Sequence, residues 1–186
     1  MLTALLCAAS SSAAPRPSPV QKQTPATKDT SPVVADFLAR VDKYVELRKK
    51  ADDSAPPLKE TKDPAKIKDA EQALVERIGI ARTGAKQGDI FTPEVAAYFK
   101  RLLRPETKEP GTKEIMKEDK PIGVSFKING PYPDKQPLVT VPPNILETLP
   151  QLPKDKDLEY RFVGKHLILR DARANTIIDY IPNAIP

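Results

Sequence analysis

His166 is the only histidine in this chain of 186 residues, and it limits the metal chemistry that the sequence can support. A zinc site needs several strong ligands, so His166 would require carboxylates such as Asp171 and Asp179 to converge on it. The single cysteine, Cys7, lies in an N-terminal apolar run. We therefore predict no metal ligand, no cofactor and no catalytic residue.

Charged side chains near the C-terminus suggest a binding role instead. A predicted sheet places Glu159, Arg161 and Arg170 on one mixed face, with Arg173 nearby, and guanidinium groups bind acidic ligands through paired hydrogen bonds. Glu159 opposite Arg170 is already a self-satisfied ion pair, which favours a structural role. If the face is exposed, Arg161, His166 and Arg170 are the first candidate partner surface.

Other catalytic patterns are weak. No serine lies in a Gly-x-Ser-x-Gly turn, and no glycine-rich phosphate loop precedes Lys-Ser or Lys-Thr. Carboxylate pairs such as Asp36 with Asp42, or Glu71 with Glu76, lie on predicted helix faces that also carry lysines, which is typical of solvated surface. A carboxylate-pair hydrolase of envelope polymers is the enzyme alternative.

Three helices are predicted in residues 33–104. The first has apolar residues at three- and four-residue steps from Pro32 to about Lys50, with Ser31 as its N-cap. The motifs Asp63-Pro64 and Thr92-Pro93 each supply a capping side chain and a first-turn proline for a further helix. The stripe of the second helix is formed by Ile67, Ala70, Leu74, Ile78 and Ala81. The third helix is predicted to end before Pro105.

The apolar stripes of the first two helices have two interpretations. They could receive a partner helix or a lipid. Packing against each other and against the sheet is the favoured interpretation.

Residues 157–181 predict an antiparallel β-meander of three short strands. Gly164-Lys165 forms a two-residue type II′ hairpin loop, which sets Tyr160 opposite Leu169 and Val163 opposite His166. Asn175, in the next loop, tolerates a left-handed backbone. One face of the sheet is apolar and needs a cover, for which the helices are the candidates; its residues are Leu158, Tyr160, Phe162, Leu167 and Leu169. The predicted fold class is therefore α+β.

The remaining segments complete the predicted organisation. Residues 1–13 are typical of a signal peptide, 14–32 of a disordered proline-rich tether, and 105–121 of a charged linker. Residues 122–186 form the small β-rich region, which begins with a strand over 122–129 and contains a short helical segment over 142–149. The predicted localisation is periplasmic or secreted.

The net charge of +5 is dispersed along the chain. No aromatic-interleaved basic stripe is present, so we predict no specific nucleic-acid partner. The N-terminal apolar run is shorter than the roughly 20 residues of a membrane-spanning helix, and we predict no transmembrane segment in the mature chain. The leading functional hypothesis is a non-enzymatic periplasmic or envelope-associated protein that binds another macromolecule.

One sequence resemblance extends this hypothesis. The pattern Tyr160-Arg-Phe-Val-Gly-x-x-Leu-Ile-Leu-x-Asp, followed by Asn175-Thr-Ile-Ile-Asp-Tyr-Ile, resembles the short β-meander of RcnB-like periplasmic proteins of nickel and cobalt homeostasis. The chain as a whole, with Gly88-Asp-Ile-Phe-Thr-Pro-Glu-Val and the ending Ile-Pro-Asn-Ala-Ile-Pro, more closely resembles uncharacterised exported bacterial proteins. The resemblance implies a periplasmic meander protein, with a metal-homeostasis accessory role as a further alternative. No histidine cluster accompanies the pattern, and no functional residue is transferred from it.

Overall fold

The computed structural model describes residues 31–54, 62–108, 125–132, 141–154 and 157–185. Within these ranges, helices are followed by a three-stranded antiparallel sheet, which confirms the predicted α+β fold. The elements are α1 (Pro32–Asp53), α2 (Pro64–Ala81), α3 (Pro93–Glu106), α4 (Pro143–Thr148), β1 (Leu158–Val163), β2 (His166–Asp171) and β3 (Thr176–Ile181). In the described part of the chain, no helix is both long and apolar enough to cross a membrane.

Several predicted segments lie outside the described residues. These are the signal peptide over 1–13, the tether up to residue 30, linker residues 109–121, and residues 122–124 of the predicted first strand.

The predicted capping residues begin the three long helices. The side chains of Ser31, Asp63 and Thr92 accept hydrogen bonds from backbone N–H groups in the first turns of α1, α2 and α3. Each cap satisfies a donor that has no partner inside the helix. The predicted end of α3 is wrong, because the helix continues through Pro105 to Glu106. A proline removes only the hydrogen bond of its own missing N–H. The N–H of Thr107, two residues after Pro105, still donates to the Leu103 carbonyl.

The sheet order is β1-β2-β3, and the predicted β1–β2 register is confirmed at every pair. Gly164 has φ +56° and Asn175 has φ +46°, as the two predicted turns require. The predicted strand over 122–129 is not a strand where it is described. Residues 125–128 lead instead into a turn at Asn129, whose φ is +60°.

Residues 129–132 then run along the outer edge of β3. Asn129 N–H donates to the Ile177 carbonyl at 2.9 Å, and Ile177 N–H donates to the Gly130 carbonyl at 2.9 Å. Tyr132 N–H donates to the Asn175 carbonyl at 3.0 Å. This segment is the edge strap, and it occupies hydrogen-bonding groups of β3 that would otherwise face solvent.

The helices cover the apolar face of the sheet, and the two share one core. The five predicted face residues, Leu158, Tyr160, Phe162, Leu167 and Leu169, are all buried in it. Phe37, Phe91 and Phe99 pack mutually with ring centroids 5.1–5.5 Å apart. The ring of Tyr160 lies 6.0 Å from that of Phe99, so the aromatic cluster joins the helices directly to β1.

The opposite, mixed face of the sheet is also covered in part. Tyr132 from the edge strap packs with Val163, Ile168 and Ile177 in a second, smaller core. Phe126 and Tyr180 pack against its margin.

Helix α2 packs through its C-terminal half. Leu74 and Ile78 of the predicted stripe are buried, but Ile67 is 38% exposed and Ala81 is exposed as well. The predicted stripe is therefore wrong at both ends. Its apolar residues recur at helical spacing along the whole stripe, but only Leu74 and Ile78 are buried in the core.

Candidate functional site

Arg170, one of the three predicted partner-surface residues, is buried at 9% exposure. Its guanidinium donates to the Glu159 carboxylate and to Asn175 Oδ1, the latter at 2.9 Å. The same group lies over the ring of Tyr132, 5.2 Å from the centroid. These contacts attach the edge strap to the sheet, so Arg170 has a structural role in this arrangement.

Glu159 accepts hydrogen bonds from both Arg161 and Arg170. Burial raises the pKa of the Glu159 carboxyl, but the hydrogen bonds and charges of the two arginines outweigh it and leave the pKa below its usual value. Arg161 and Glu159 are each partly exposed on β1. The predicted self-satisfied charge cluster is therefore present, with one carboxylate between two cations.

His166, the third predicted residue, packs against aromatic rings. Its ring centroid lies 5.2 Å from that of Phe126 and 6.5 Å from that of Tyr180. Burial lowers the pKa of the imidazole. The described ranges contain no group of three His, Cys, Asp or Glu side chains placed to hold a metal ion.

Asp171, which the sequence offered as a metal partner for His166, binds helix α1 instead. Its carboxylate is fully buried and accepts from the Tyr44 hydroxyl at 2.8 Å and from Ala174 N–H at 3.0 Å. Arg48 Nε lies 3.5 Å away. Burial raises the pKa of Asp171, against the opposing effect of these partners. The carboxylate thus fixes α1 on the sheet.

Arg48 also binds a second carboxylate. Its Nη1 lies 2.6 Å from Asp157 Oδ2. Asp157 and Asp171 are thus two carboxylates on one guanidinium, an arrangement that superficially suits a hydrolase. The Asp171 side chain, however, has no exposed surface, and a catalytic carboxylate must reach its substrate. Of the pairs named from the sequence, Asp36 instead binds Arg40 on the same helix at 2.8 Å.

Among the described residues, Asp179 is a second fully buried carboxylate. It accepts from the backbone N–H groups of Gly88, Ile90, Phe91 and Tyr180 at 2.8–2.9 Å. A loop preceding α3 is thereby tied to β3. Sequence analysis missed this role, because a carboxylate that caps loop amides far along the chain leaves no local spacing signal.

The structure adds a groove that the sequence did not predict, between the C-terminal parts of α1 and α2. Its volume is about 530 Å³, and we call it the α1–α2 groove. The lining residues are Lys43, Glu46, Leu47, Lys50, Ala51, Ser54, Arg77, Ile80 and Ala81. Ile80 is 76% exposed there, so the groove presents a large apolar side chain to solvent.

Arg82, directly after α2, holds the α2 wall of the groove in place. Its guanidinium donates to Asn129 Oδ1 at 2.7 Å and to the Ile178 carbonyl at 3.2 Å. It also lies 5.2 Å from the ring centroid of Tyr44 on α1. One side chain thus connects the end of α2 to α1, to the edge strap and to β3.

One sequence signal for the groove existed. Ile78 and Ile80 are two positions apart, about 200° around a helix, so both cannot face the same core. Ile78 is fully buried and Ile80 is not. An isoleucine outside the buried stripe of α2 therefore indicates a second apolar surface on that helix. Which α1 residues lie beside Ile80 is known only from the structure.

Comparisons with protein-family models, with curated proteins and with solved structures find no match to this chain. The functional argument therefore rests on the geometry of the described residues.

Proposed function

We propose that this chain is a non-enzymatic, envelope-associated binding protein, periplasmic or secreted, whose α1–α2 groove receives an acidic amphipathic segment of another protein. The observation that carries this proposal is the exposed Ile80 in a groove that is lined by apolar and cationic side chains. The envelope location rests on the signal-peptide pattern of residues 1–13.

The shape and apolar surface of the groove support this type of ligand. Its apolar lining residues are Leu47, Ala51, Ile80 and Ala81, on two neighbouring helices. Amphipathic helices place their apolar face into such grooves. Burying a side chain of the size of isoleucine contributes about 1.5–3 kcal/mol, which makes Ile80 the natural anchor contact.

The charged residues that line the groove support an acidic partner. Among the described lining residues, the cations Lys43, Lys50 and Arg77 outnumber the one carboxylate, Glu46. Opposite charges at the rim steer encounter and fix orientation. The net charge of +5 on the whole chain acts in the same direction.

A defined peptide tests the proposal. The probe is a fluorescein-labelled helical peptide with leucines on one face and glutamates on the other, titrated into the full chain and followed by anisotropy. We expect saturable binding that weakens as salt is added. The substitution Ile80→Glu should weaken binding at least about tenfold, because it removes the anchor and repels the acidic face.

The matched control is Ile67→Glu, the same substitution on the same helix but outside the groove. It should leave the affinity unchanged. Equal losses in both variants, or no binding of the peptide by the wild type, would contradict the proposal. Binding to anionic phosphatidylglycerol vesicles in place of the peptide would assign the groove to a lipid surface and would also overturn it.

A further inference from the structure

Strand β1 is a terminal strand of the sheet in the described part of the chain. Its hydrogen-bonded neighbour is β2 on one side, whereas the outer edge of β3 is covered by the edge strap. Within the described ranges, no backbone group outside the sheet bonds to the outer edge of β1. Such an edge is a template for another strand.

The hairpin geometry identifies the outward-facing groups. In a two-residue hairpin the residues flanking the loop, Val163 and His166, form a hydrogen-bonded pair, and such pairs alternate along antiparallel strands. Arg161 and Glu159 therefore direct their N–H and C=O groups toward β2. The corresponding groups of Leu158, Tyr160 and Phe162 point outward.

The side chains along this edge are self-complementary about Tyr160. Glu159 and Arg161 lie on either side of it, and Leu158 and Phe162 lie beyond them. If β1 of a second copy pairs antiparallel to this edge with the two Tyr160 residues opposite each other, Glu159 of each copy lies opposite Arg161 of the other. Centring the pair on Glu159 or on Arg161 places like charges opposite each other, which destabilises a sheet.

We propose that the β1 edge pairs with the β1 edge of a second copy of this chain, forming a two-fold symmetric dimer with one continuous six-stranded sheet. Tyr160 pairs with its own copy on the axis, and Leu158 pairs with Phe162 on each side. All outward N–H and C=O groups of these three residues become hydrogen-bonded. Glu159 and Arg161 already bind each other within one copy. Their contacts between copies occupy non-hydrogen-bonded positions, where opposed side chains lie closest, and join two existing ion pairs. The β1 residues of this edge are not among those that line the α1–α2 groove.

Charge reversal tests the pairing, with sedimentation of the full chain measured over a range of concentrations. We expect a concentration-dependent wild-type dimer. Arg161→Glu and Glu159→Arg should each weaken self-association at least about tenfold, because each substitution places like charges opposite each other at two positions of the dimer. A mixture of the two variants should form a heterodimer, since each copy then faces the complementary charge. Lys49→Glu, an equal charge change on α1, is the control and should dimerise as the wild type does.

Amide hydrogen exchange provides a second measurement that does not depend on how well Glu159→Arg folds. The amides of Leu158, Tyr160 and Phe162 should gain protection as the wild-type concentration rises, whereas those of Glu159 and Arg161 are protected throughout by β2. A wild type that stays monomeric up to its solubility limit overturns the proposal. So does a dimer in which these three amides exchange freely, or one that Arg161→Glu does not weaken.

Discussion

Replacing Asp179 by asparagine should destabilise the loop that precedes α3. Asp179 Oδ1 accepts from Gly88 and Tyr180, and Oδ2 accepts from Ile90 and Phe91. An amide has one acceptor oxygen, so two N–H donors must face an NH₂ group: either the buried pair of Ile90 and Phe91 or the partly buried pair of Gly88 and Tyr180. Hydrogen bonds to a charged acceptor contribute about 1.5–3 kcal/mol each. We expect Asp179→Asn to lower the free energy of unfolding by about 3–6 kcal/mol.

Urea unfolding followed by circular dichroism measures this loss, which is large beside the roughly 5–15 kcal/mol stability of a typical domain. Amide exchange localises it, because Gly88, Ile90 and Phe91 should lose protection. The control is Asp36→Asn, whose side chain is 48% exposed and paired only across the surface of α1; it should cost less than about 1 kcal/mol. The reasoning is refuted if Asp179→Asn costs under about 1 kcal/mol or if these amides exchange as before.

Three further predictions concern the contacts that hold the helices and the edge strap on the sheet. Tyr44→Phe removes the hydroxyl that donates to buried Asp171, and should cost about 1–3 kcal/mol in urea unfolding; no loss would show that the contact contributes nothing. Ile78→Ala should lower the free energy of unfolding by about 2–5 kcal/mol because Ile78 is fully buried. Ile67→Ala, at the exposed end of the same helix, should change it by less than about 0.5 kcal/mol. Similar costs for the two variants would contradict the described packing of α2. Because the pKa of Glu159 is lowered in the fold, its carboxylate stabilises the folded state above the unfolded pKa of about 4.3, and this stabilisation is lost as the pH falls through the folded pKa. Glu159→Gln should therefore lose less stability than the wild type on acidification. An equal loss in wild type and variant would contradict that assignment. The raised pKa of Asp171 acts with the opposite sign, since its contribution declines as the pH rises through its folded value.

The parts of the fold that depend on neighbouring residues were predictable. Gly164 determines the hairpin loop, the loop determines the register from Val163 to Leu158, and the register determines which residues face the helices. The starts of the helices followed in the same way from Ser31, Asp63 and Thr92, because a cap acts within one turn.

The parts that depend on distant residues were not predictable. The edge strap at 129–132 pairs with β3 more than forty residues later, and alternation within 122–129 predicted only a strand. The sequence offered Asp179 only as a possible metal partner of His166, because its actual partners are the backbone amides of Gly88, Ile90 and Phe91, far away along the chain. The α1–α2 groove requires knowledge of where α2 stops packing, which the uninterrupted helical period does not reveal.

The central claim is that the α1–α2 groove is the binding surface of this protein. The most direct measurement is a titration of the ¹⁵N-labelled full chain with the acidic amphipathic peptide, followed by amide chemical shifts. The account predicts saturable shifts concentrated at Leu47, Ala51 and Ile80, and their loss in Ile80→Glu. Shifts concentrated on the sheet, or shifts that persist unchanged in that variant, would contradict it.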